Sequence, residues 1–106
     1  MTSELPKEKY FNAQLYLGDC CYHGITTPQD YKQAVFWYKE AAQQGDTDAQ
    51  FNLGICYLQG RGTLQDYKQA VYWIGKASRG GGLHEAQCLY DSCYQYELAD
   101  KKQKLS

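Results

Sequence analysis

The residues of this 106-residue chain with the greatest chemical reach are five cysteines, Cys20, Cys21, Cys56, Cys88 and Cys93, and two histidines, His23 and His84. A thiolate is a nucleophile and a soft metal ligand, and cysteine with histidine at short spacing builds tetrahedral zinc sites. The spacing here opposes that chemistry. No Cys-x-x-Cys occurs, and neighbours such as Cys20-Cys21 rarely hold one ion together. Neither histidine has the spaced partners of a zinc or nucleophile constellation, and His23 reads first as a surface residue. Gly60-Arg61-Gly62 and Gly80-Gly81-Gly82 invite a phosphate-loop reading, yet neither ends in Gly-Lys-Ser/Thr, so both read as turns. No catalytic residue, metal or cofactor is therefore assigned, and the chain is read as no enzyme. A redox sensor at Cys20 or Cys21 stays open as a minor alternative, needing an exposed thiol of lowered pKa.

Bulk properties narrow the classes further. Eleven basic against 12 acidic residues leave a net charge of -1, which gives no reason to favour nucleic acid or an anionic membrane. The same balance argues against a helical-repeat RNA reader. No apolar run approaches the roughly 20 residues of a membrane span. Met1–Phe11 is polar and lacks the apolar stretch of a secretory signal. The expectation is a cytoplasmic protein with reduced thiols, a non-classical export route remaining compatible with it. Two prolines and few Val or Ile residues argue against a β protein.

Stepping along the chain exposes the elements that must position these groups. QDYKQAVFW at residues 29–37 returns as QDYKQAVYW at residues 65–73. Shifting the chain by 36 residues matches 17 of 36 positions between Ala13–Asp48 and Ala49–His84. A fixed period of this length marks a solenoid of stacked units. Each unit reads as two helices. In the second, Ala49, Leu53, Cys56 and Tyr57 share one face of helix A, Gly60-Arg61-Gly62 breaks it, and capping patterns at Thr63 and Asp66 start helix B. Tyr67, Ala70, Trp73, Ile74 and Ala77 form one stripe of that helix, as Tyr31, Ala34, Trp37, Tyr38 and Ala41 do one period earlier. Gly45 and Gly80-Gly81-Gly82 are expected to end the B helices. A helix pair exposes an apolar side that only a like neighbour can cover, so the same residues are needed twice. Trp37 and Trp73 should fill the wedge between helices, at roughly 3 to 5 kcal/mol for truncating either. Cys20, Cys56 and Cys93 then form a column of thiols, too far apart for disulfides at helix spacings of about 8–10 Å, and suited to filling small apolar gaps.

The pattern Ala13-Gln14, Leu17-Gly18, Gly24, Asp30-Tyr31-Lys32, Ala34, Trp37-Tyr38, Ala41-Ala42, Gly45 resembles the Sel1-like repeat. So does Ala49-Gln50, Leu53-Gly54, Tyr57, Gly60, Gly62, Asp66-Tyr67-Lys68, Ala70, Trp73, Ala77, Gly81. Cys21 stands where that pattern has a tyrosine, Thr26 where it has a second loop glycine, and Tyr90-Asp91 where a third unit would have Leu-Gly. The resemblance implies an all-α fold related to the tetratricopeptide solenoids. Residues 1–106 would form one domain, with repeat 1 at about 13–48, repeat 2 at about 49–85 and a partial repeat or capping helix at about 86–104. It also implies a protein-binding scaffold, adaptor or inhibitor, bacterial members often working in host interaction, signalling or toxin neutralisation. The disulfides that some members place within each helix pair have no counterpart, since these cysteines sit on helix A with no partner on helix B.

A second apolar row on helix A of unit two, Phe51, Ile55 and Leu58, lies roughly opposite Ala49, Leu53 and Cys56. Its counterpart in unit one is Leu15, Asp19 and Tyr22. Because first helices line the concave side of such stacks, these residues with His23, Gln59 and Tyr96 are expected to form a groove for a partner protein. The competing expectation is plain packing of Phe51 and Ile55 between neighbouring helices. A self-associating repeat protein, as a homodimer, is the other alternative.

Overall fold

A computed structural model of the chain describes residues 12–81 and 84–105. The polar stretch Met1–Phe11 and Gly82 of the glycine run lie outside the described residues. Five helices follow one another: α1 (Ala13–His23), α2 (Tyr31–Gln43), α3 (Thr47–Gln59), α4 (Tyr67–Gly81) and α5 (His84–Leu105). No strand occurs among the described residues.

Local chemistry sets the helix limits. Asn12 and Asp46 sit in extended backbone and accept hydrogen bonds from the free amides of the first turns of α1 and α3. Asp46 therefore starts α3 at Thr47. Gly24 and Gly60 end α1 and α3 in left-handed backbone, where a side chain would be strained. α4, in contrast, runs on through Gly80 and Gly81. The helix thus ends within the glycine run, as expected, Gly80 itself costing only about 1 kcal/mol of helix propensity.

The repeated phrase now has a physical account. Gln29 Nε2 donates to Tyr22 O at 2.9 Å, and Gln65 Nε2 to Leu58 O at 2.8 Å, tying each B helix to the free carbonyls at the end of its A helix. The next residue caps the B helix: Asp30 accepts from Gln33 N, and Asp66 from Gln69 N. Ala34 and Ala70 are then fully buried in the seam. The Leu-Gly pair of helix A has a matching reason. A Cβ on Gly18 would lie 2.6 Å from the Tyr38 ring, and one on Gly54 would strike Ile74, so these glycines make room for the large residue of each B helix.

Each helix packs chiefly on its neighbours in sequence, α1 on α2, α2 on α3, α3 on α4 and α4 on α5. One core cluster joins the units, with Trp73 and Leu53 of the second among Val35, Tyr38, Ala41 and Ala42 of the first. Another joins α4 to α5 through Ala70, Ile74, Ala77 and Cys93. Trp73 is buried, whereas Trp37 is only half-buried and meets Phe36 edge-on at 5.0 Å. The two tryptophans are thus not equivalent, since Trp73 reaches back to a preceding unit. No helix among the described residues is long and apolar enough to cross a membrane.

Candidate functional site

The end of α1 and the middle of α3 enclose a hollow of about 190 Å³ lined by Tyr22, His23, Tyr38, Asn52 and Ile55. Its geometry follows from contacts within the first unit and across the repeat boundary. Tyr38, buried on α2, donates its hydroxyl to Asp19 Oδ1 at 2.5 Å, and Asn52 Nδ2 of α3 reaches the same oxygen at 3.4 Å. Burial and the neighbouring Asp19 carboxylate push the Tyr38 phenol far above its ordinary pKa, so it stays a donor. At the rim, Arg61 Nη1 donates to Tyr22 Oη at 2.5 Å, and the guanidinium lies over the Tyr22 and Tyr31 rings at 5.9 and 5.6 Å. Gly62 beside it is in left-handed backbone, and a Cβ there would collide with the Tyr31 carbonyl. The loop of the second unit is therefore pressed onto the first unit's B helix. The walls are fixed by hydrogen bonds and ring contacts before anything binds.

Four of the expected site residues meet here or beside it. Tyr22, His23 and Ile55 line the hollow, and Asp19 supports it. Gln59 follows on α3 as an exposed residue. Four others do not belong to this surface. Leu15 is 6% exposed and sits in the core cluster between α1 and α2, so it lines no groove. Phe51 and Leu58 are partly buried against the α4–α5 cluster. That is the packing alternative for Phe51 but not for Ile55, with Leu58 packed in addition, and it arises because the middle unit has helices on both sides. Tyr96 stacks on Tyr67 at 5.7 Å, next to a separate cavity of about 450 Å³ that includes Asp66, Glu97 and Lys101. Sequence reasoning missed Tyr38, Asn52 and Arg61. Their signal was divergence, since the repeat pairs Asp19 with Ile55, Asn52 with Tyr16, and Arg61 with Ile25. The Asn52–Asp19 and Arg61–Tyr22 contacts between units sit where the two copies differ.

Three thiols of the described residues are raised in pKa, the opposite of activation. Cys20, Cys56 and Cys93 are buried, as the column reading expects. Burial raises Cys56 and Cys93 to about 11, and burial, Asp30 and Cys20 raise Cys21. The side chain of Cys88 lies outside the described residues. No cluster of three metal-ligating side chains occurs among the described residues.

The family model of the Sel1 repeat matches residues 12–46 and again 47–82. The chain belongs to the Sel1 repeat family. Two solved structures place this Sel1 repeat protein among known folds. A Sel1 repeat protein from Oxalobacter formigenes is 36% identical, with a TM-score of 0.73 over 76% of this chain and 23% of that one. The protein c5321, a protective antigen of uropathogenic Escherichia coli strains with the same repeat fold, is 41% identical, with a TM-score of 0.66 over 71% of this chain and 16% of that one. This Sel1 repeat chain thus spans less than a quarter of the length of either neighbour. The search of curated proteins returned no match. Sel1 repeat proteins generally mediate protein–protein interaction.

Proposed function

We propose that this Sel1 repeat protein is a protein-binding module, acting as a small adaptor or inhibitor, and that it holds its partner at the hollow between α1 and α3. The observation that carries this reading is the hollow itself: an apolar floor at Ile55, aromatic walls at Tyr22 and Tyr38, and a polar rim at His23, Asn52 and Arg61. Buried aromatic anchors inside a polar rim are the usual anatomy of an interface hot spot. The walls are held by Tyr38–Asp19 and Arg61–Tyr22 bonds, so little ordering opposes binding. The partner is a polypeptide that inserts one apolar side chain. No nucleic acid is expected, given the net charge of -1.

The test starts from a partner captured by the wild-type chain in its native cell and then purified. Ile55→Asp should weaken binding by about 30-fold or more in calorimetry, as for loss of a central hot-spot residue. Circular dichroism should meanwhile show unchanged helicity, because Ile55 is only partly buried. Undiminished affinity in a folded Ile55→Asp variant removes the hollow from the interface.

A further inference from the structure

Arg61 brings a permanent positive charge to the rim of the hollow. Its side chain is exposed, yet its place is fixed. Nη1 donates to Tyr22 Oη at 2.5 Å, and the guanidinium carbon lies 5.9 Å from the centre of the Tyr22 ring and 5.6 Å from that of Tyr31. The loop behind it is pinned, since a Cβ on Gly62 would collide with the Tyr31 carbonyl. A guanidinium carries several N–H donors, and the bond to Tyr22 engages only Nη1. Among the described residues no carboxylate forms an ion pair with Arg61. Its counterpart one period earlier is Ile25, so the cation belongs to the second unit alone.

The charges around the hollow sort by depth. Asp19 supports the inside, where its Oδ1 accepts from Tyr38 Oη and Asn52 Nδ2. A partner's carboxylate pushed inward would meet that like charge. His23 stands edge-on to Tyr22 at 5.0 Å and adds no negative charge at the rim. Ile55 keeps the floor apolar. The interior thus favours an uncharged side chain, and the lip favours an anion. A hollow of about 190 Å³ admits one side chain, so it reads a short segment of chain and not a broad surface.

We propose that the partner presents a linear segment whose apolar side chain fills the hollow and whose neighbouring Asp or Glu carboxylate binds Arg61. The inference rests on the hollow being the binding site. The planar fork of a guanidinium matches a carboxylate and forms charge-assisted hydrogen bonds to it. Two rings and a hydroxyl already hold the fork, which lowers the cost of ordering it on binding.

Panning a phage-displayed library of random linear peptides on the whole chain tests this. Selected peptides should carry Asp or Glu within a few residues of a large apolar residue. Arg61→Glu, at an exposed position, should keep its helicity and shift the enrichment to Lys and Arg beside the same apolar residue. A residue that only braces its loop would change affinity without reversing the selected charge. In calorimetry with one selected peptide, Arg61→Gln should bind roughly tenfold more weakly at low salt, and the gap should narrow at high salt. If Arg61→Glu loses helicity, Arg61→Gln is panned in its place and should lose the acidic enrichment. Failure to enrich any linear peptide overturns the proposal, as does an acidic preference that survives the folded Arg61 variant. Ile55→Asp separates this inference from the reading beneath it. Peptides that need Ile55 but show no acidic preference keep the hollow and remove the role of Arg61. Peptides that bind Ile55→Asp undiminished remove the hollow, and this inference with it.

Discussion

Trp73 and Trp37 occupy the same place in their repeats, and only the first lies inside the core. Trp73 is surrounded by Val35, Tyr38 and Ala42 of the preceding unit. Truncating it leaves a large cavity where two units meet, so Trp73→Ala should cost about 3 to 5 kcal/mol in urea unfolding. Trp37→Ala should cost about half of that or less, because much of its ring is already in water. Equal losses at the two positions would show that position within the repeat, and not burial, sets the effect. The sequence put both residues at the right place on helix B. It could not tell them apart, because the pattern of a repeat carries no information on which copy has a neighbour behind it.

Helices α3 and α4 pack closely because Gly54 has no side chain to hold them apart. Helix propensity alone predicts that Gly54→Ala gains about 1 kcal/mol. The new Cβ would run into Ile74, which is fully buried, and would lie 3.2 Å from its amide nitrogen. The expected net result is a loss of about 1 to 3 kcal/mol, read as a lowered urea midpoint at unchanged slope. Much at this scale was legible beforehand. The 36-residue period placed four helices, and the Asp30 and Asp66 caps follow from residue type alone. What was not legible depends on which helix ends up beside which. Leu15 shows the same apolar spacing whether it faces a groove or a core, and its burial is decided by α2. Phe51 and Leu58 look like a free row until α4 and α5 are laid against them. Arg61 gives no local hint that it will reach Tyr22, 39 residues away.

For the molecule as a whole, the buried thiols and phenol tie stability to alkaline pH. Burial raises Cys56 and Cys93 from an ordinary 9.0 to about 11, and Tyr38 is raised as well. The folded chain therefore keeps protons that the unfolded chain releases above about pH 9. Stability is full below that pH and falls as pH climbs through 11, by roughly 2 kcal/mol for each thiol. Urea midpoints at pH 8 and pH 11 should differ accordingly, and Cys56→Ala should flatten part of the difference. A midpoint independent of pH across that window would show that the thiols are not shielded as described. The elongated body, 54 by 28 by 22 Å, is built almost wholly from contacts between helices adjacent in sequence. Such a chain closes only short loops at every step, which favours folding within about a millisecond. During synthesis each helix after α1 meets a partner that has already left the ribosome, so packing can begin before α5 is made.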